Sequence, residues 1–157
     1  MATAEPDVHE DGATDEAALL TRSLERLAGH ETQLMTRFYD RFFERHPDVV
    51  PLFGEHGLNE REEMLRETLA SVCAHAEDEP WLDENLSAMG RSHAEYGVED
   101  AMYPGFVEAM LDTLAEIVGS DWSSATCAAW RSALERLTST MRRAAAEVAA
   151  TPGQGVG

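Results

Sequence analysis

Phe38-Tyr39-Asp40-Arg41-Phe42-Phe43-Glu44-Arg45-His46-Pro47-Asp48-Val49-Val50-Pro51-Leu52-Phe53 is the stretch on which the reading of this chain turns. Its first half continues a helical pattern begun near Glu31: Leu34, Phe38, Phe42 and Arg45 share one side, with Tyr39 and Phe43 one residue over. Pro47 lacks a backbone N–H and restricts the residue before it, so the helix is expected to end or turn there. Pro47 to Phe53 then leads into an irregular corner marked by Gly54 and Gly57.

Upstream, residues 1–13 are acidic and poor in large apolar side chains, and are expected to be a disordered tail. Thr14, followed by Asp15 and Glu16, has the form of a helix start, with Leu20, Leu24 and Leu27 as the stripe. Downstream, Leu65, Leu69, Val72 and Ala76 mark a helix from about Asn59 to His75, where Asn59 and Glu62 resemble a capping box. Pro80 suits the first turn of a shorter helix carrying Leu86, Met89 and His93 on one face, with Gly97 as its stop. A helix from about Asp100 to Val118 presents Phe106, Met110, Leu114 and Ile117, and Gly119 stops it. Ser120 or Ser123 can cap the last helix, which holds Trp130, Leu134, Leu137 and Met141. Residues 151–157 are expected to be a second disordered tail, leaving one domain over 14–150. Nothing has the period of a strand, so the fold class is all-α, with about seven helices.

The 157 residues carry 30 acidic and 12 basic side chains, a formal net charge of −18. Every basic one is arginine. Such a balance argues against binding nucleic acid or an anionic membrane. It also strains the compact state by self-repulsion unless salt screens it. The lysine-free acidic composition resembles that of proteins from salt-accumulating microbes, which predicts a halophilic protein stabilised by salt. Cys73 and Cys127 lack metal or disulfide spacing and read as free thiols. No signal pattern and no membrane-length apolar run is present, so a cytoplasmic location is expected.

His93 is the first candidate for chemistry. A histidine on an apolar helical face is either a satisfied core residue or a ligand, and neutral imidazole binds iron well. The segment Phe38 to Phe53 strongly resembles the second and third helices of bacterial globins, especially the globin domain of flavohaemoglobins. Tyr39, Pro47 and Phe53 meet that family's spacing without a gap, and Gly90-Arg91-Ser92-His93 is similar to its proximal-histidine segment. Tyr103 and Trp130 also fall where these globins place such residues, and the resemblance extends over about residues 17–147.

The resemblance implies a globin fold around a haem pocket, with haem b as cofactor. It makes His93 the proximal iron ligand, with an open position opposite for dioxygen, nitric oxide or carbon monoxide. Phe53 would stack on the porphyrin, and Tyr39 would donate a hydrogen bond to the gas. Tyr103 and, at the chain's far end, Glu147 would be linked to the proximal histidine and make it more electron-donating. Leu65 corresponds to an apolar distal position, and Leu86, Met89, Val98 and Phe106 to pocket lining. Arg61 stands where flavohaemoglobins carry a distal Gln, so the distal hydrogen-bond network departs from the family; it could turn to the haem propionates, the ligand or solvent. His56, in the corner before it, is a solvated loop residue or a sixth ligand.

The function so implied is reversible binding of a diatomic gas. Nitric oxide dioxygenation, which turns dioxygen and nitric oxide into nitrate, would need electrons from a separate reductase, because no Gly-rich dinucleotide motif is present. A haem-based gas sensor acting on a partner in trans and a haem-free interaction module are the alternatives. The acidic surface suggests a cationic docking partner, or association at high salt.

Overall fold

A computed structural model describes residues 8–53 and 57–150, without side chains for 8–14. Most of the tail residues and His56 therefore lie outside the described residues. The described chain is all-α: α1 (Val8–Leu27), α2 (Glu31–Arg45), α3 (Gly57–Ala76), α4 (Leu82–Glu95), α5 (Tyr103–Val118) and α6 (Ser124–Ala149). Short 3-10 turns at Pro47–Phe53, Asp100–Met102 and Gly119–Asp121 join them. The first helix reaches back to Val8, beyond the start expected at Thr14. Of the two serines able to cap α6, Ser123 does so, its hydroxyl accepting from the Thr126 N–H at 3.0 Å.

The core is filled by Leu20, Leu34, Phe38, Leu86, Leu114, Trp130 and Leu134, all fully enclosed. Burying a side chain of this size contributes about 1.5–3 kcal/mol each, so this cluster supplies the main drive for collapse. The aromatic stripe expected on α2 is the pivot. Phe38 meets Phe42 and Phe106 at ring-centroid distances of 5.3 and 5.4 Å, tying α2 to α5. Tyr39 and Phe43 meet Phe53 at 5.5 and 5.4 Å, tying α2 to the 3-10 turn after Pro47.

Two glycines position α4. Gly97 adopts φ +102°, a conformation that L side chains rarely take, and so ends the helix just after His93. Gly90 lies against the backbone of Met141, and a Cβ there would overlap it. The missing side chain lets α4 and α6 cross closely, and this pairing is the most extensive between any two helices. The helix carrying His93 is therefore held by backbone contact with the longest helix of the molecule.

Candidate functional site

A cavity of about 820 Å³ opens between α3 and α4, with α5 and α6 as its floor. That volume lies in the range of about 300–1,000 Å³ usual for small-molecule and cofactor sites. Seven of the expected residues line it together: His93, Phe53, Leu86, Met89, Val98, Phe106 and Tyr103. They come from α4, α5, the link between them and the 3-10 turn that ends at Phe53, brought together by the α4–α6 crossing and the aromatic stack on α2.

His93 is held by its own helix. Its Nδ1 lies 2.8 Å from the carbonyl oxygen of Met89, one turn earlier. A carbonyl can only accept, so Nδ1 carries the hydrogen and donates it. That bond leaves Nε2 as the ring nitrogen with no protein partner to compete for it, the atom through which a neutral imidazole in this tautomer binds a metal. A carboxylate partner was expected at Glu147, and the contact seen at Nδ1 is with the Met89 carbonyl. Glu147 is exposed on the last turn of α6 and does not line the cavity. Helical geometry accounts for the change, because the carbonyl one turn back is always within reach of an i+4 side chain.

Tyr103, also on the cavity wall, has its hydroxyl pKa pushed up to about 12 by burial, with Asp100 adding to the rise and Arg142 opposing it. Asp100 and Arg142 are themselves joined by two bonds of 2.7 Å. The phenol is therefore a neutral donor throughout the physiological range.

The opposite wall requires correction. Tyr39, Arg61 and Leu65 were expected on it, and none of them lines the cavity. The Tyr39 hydroxyl instead donates to the Arg61 carbonyl oxygen at 2.9 Å, and burial raises its pKa. The Arg61 guanidinium turns away from the cavity and sits over the Phe43 ring at 4.9 Å. Its Nε is buried without a hydrogen-bond partner, a cost that the cation–π contact partly offsets. Leu65 is buried in the protein core.

The residues that do face the cavity from α3 are Glu60, Glu63, Met64, Glu67, Thr68 and Ser71. Sequence reading missed them because three acids recurring at helical spacing look like a solvated face. Met64, Thr68 and Ser71, also at helical spacing, were the usable signal. Glu67 feels the unusual setting: its pKa is raised, first by desolvation and then by Glu63, while His93 and Arg66 act in the opposite direction.

The chemistry of the donor set fits a haem. One imidazole stands in an otherwise largely apolar cavity with aromatic walls. The cavity's charged groups, Glu60, Glu63 and Glu67, all lie on α3. Among the described residues no group of three or more His, Cys, Asp or Glu could hold a bare metal ion. None of the described helices is long and apolar enough to cross a membrane.

The Rhizobium meliloti flavohemoprotein is 28% identical over 115 residues, which cover 71% of this chain and 28% of that protein. The chain thus matches just over a quarter of that relative's length. A bacterial globin from Campylobacter jejuni superposes with TM-score 0.73 at 17% identity, covering 87% of this chain and 98% of its own, a likeness of fold. An engineered carbene transferase from Rhodothermus marinus, derived from a candidate nitric oxide dioxygenase, superposes with TM-score 0.70 at 27% identity, covering 87% and 94%. The Globin family model matches residues 36–141, and with the cavity and its histidine this makes the chain a member of the globin family.

Proposed function

We propose that this globin holds a haem through His93 and binds dioxygen, or a related diatomic gas, reversibly. The observation that carries this reading is the His93 ring on the cavity wall with Nδ1 committed to Met89, which leaves Nε2 for iron. When bound, the haem supplies an iron with a coordination position open to a gas. The chain's own residues would do the rest. Phe53 and Phe106 would pack against the ring system, Leu86 and Met89 would exclude water from the His93 side, and Tyr103 would keep its proton beside them. Cys73 and Cys127 are off the cavity wall, so thioether attachment is not called for and haem b is the form proposed.

A carbonyl partner makes an imidazole less electron-donating than a carboxylate partner does, which favours reversible binding over activation of the gas. Nitric oxide dioxygenation with a separate reductase is the finer activity that the flavohemoprotein relatives suggest. The test is optical. Haem-loaded, reduced protein should change its spectrum under dioxygen and carbon monoxide and return under argon. Nitric oxide should be consumed for a single turnover without added reductant and continuously only with a reductase. Irreversible oxidation on the first exposure to dioxygen would overturn the reading of reversible binding.

A further inference from the structure

A haem is an apolar disc with two carboxylates on one edge, and those carboxylates must stay hydrated. The cavity's deep walls are apolar: Leu86, Leu134 and Met141 are buried. The exposed part of its lining is Pro51, Glu60, Glu63 and Glu67 on one side and Ala88, Ser92 and Tyr96 on the other, so its charged side chains among the described residues are the three glutamates of α3. The charged edge of the cofactor must therefore emerge beside three glutamates.

No arginine lines the cavity to meet it. Arg61 is stacked on Phe43, Arg136 is bonded to Asp83, and Arg142 to Asp100. Arg66 lies near enough to act on Glu67, but it is outside the lining.

We propose that Glu60, Glu63 and Glu67 form an acidic rim that repels the haem propionates, so that cofactor retention in this protein is controlled by salt. This rests on the haem reading above. At low ionic strength several like charges face one another across the rim with a screening length of about 10 Å at 0.1 M, which shrinks to about 3 Å at 1 M. Dissolved cations collecting between rim and propionates would hold the cofactor edge in place. Dilution would release it.

The experiment follows loss of ferric haem to an excess of apomyoglobin in 0.1 M and in 2 M KCl, read in the Soret band. Wild-type protein should lose haem about tenfold faster in the dilute buffer. The triple variant Glu60→Gln, Glu63→Gln, Glu67→Gln should lose it slowly in both. A matched variant, Glu25→Gln, Glu44→Gln, Glu84→Gln, removes the same charge from exposed sites away from the cavity and should keep the wild-type salt dependence. Equal rates in both salts for wild type, or a salt dependence abolished equally by both triple variants, would overturn the rim's role while leaving the haem reading intact. A protein that takes up no haem in either salt would overturn both.

Discussion

On the α4 wall of the cavity, His93 is fixed by the Met89 carbonyl, and the helix behind it is locked to α6 through Gly90. On the α3 wall, by contrast, exposed glutamates face the same space, while the Tyr39 hydroxyl donates to the Arg61 carbonyl oxygen behind it. One wall is built by close packing and a single imidazole. The other is built by charge. The contrast teaches that the two sides of one site can be specified by different forces. Substitutions that disturb packing should act through α4, and changes of medium should act through α3.

The largest effect is expected at the crossing. Gly90→Ala places a Cβ into the Met141 backbone, so α4 and α6 must separate. Overpacking of this kind costs about 1–3 kcal/mol, and backbone rather than a flexible side chain is what must move, so a loss near about 3 kcal/mol is expected in urea denaturation. An unchanged midpoint would mean that α4 is not clamped.

Next comes Tyr39→Phe, which removes the donor to the Arg61 carbonyl. It should lower stability by about 1 kcal/mol and leave the dioxygen release rate of haem-loaded protein unchanged within about twofold. Release accelerated far beyond that would mean the hydroxyl leaves Arg61 to reach the ligand, and the two walls would then share the gas.

A smaller, pH-dependent effect belongs to Tyr103. Its folded-state pKa is raised from 10.0 to about 12, so folding favours the neutral phenol. That contribution is complete below the unfolded pKa and is lost as the pH rises from about 10 through about 12. Wild type should therefore lose thermal stability relative to Tyr103→Phe across that alkaline window, and a difference between the two that does not change with pH would mean that the phenol is not held neutral by burial.

The smallest effect is expected at Glu147, exposed and away from the cavity. Glu147→Gln should leave the ferrous spectrum as it is, whereas a shifted proximal signature would return that carboxylate to His93.

The same contrast explains what was legible in the sequence. The α2 stripe of Leu34, Phe38 and Phe42, the stop at Gly97 and the face carrying Leu86, Met89 and His93 could all be read, because apolar side chains packed on protein leave a helical period. The inward stripe of α3 was legible in the same way, and Leu65 and Val72 are buried. The face of α3 that turns to the cavity was not. Glu60, Glu63 and Glu67 border the cavity, and from spacing alone a residue facing a cavity mouth looks like one facing water. Matching the family's apolar distal position to Leu65, and so its distal Gln to Arg61, fell one residue beyond the cavity-facing Met64 and Glu60. Nor does a lone glycine such as Gly90 announce which backbone it touches.

The most direct test of the account is the spectrum of ferrous, haem-loaded His93→Gly, with and without added imidazole, beside wild type. The account predicts that the variant loses the histidine-ligated spectrum and its carbon monoxide response changes, and that free imidazole entering the vacated space restores both. A variant with the wild-type spectrum in the absence of imidazole would contradict it, because another residue would then be holding the iron.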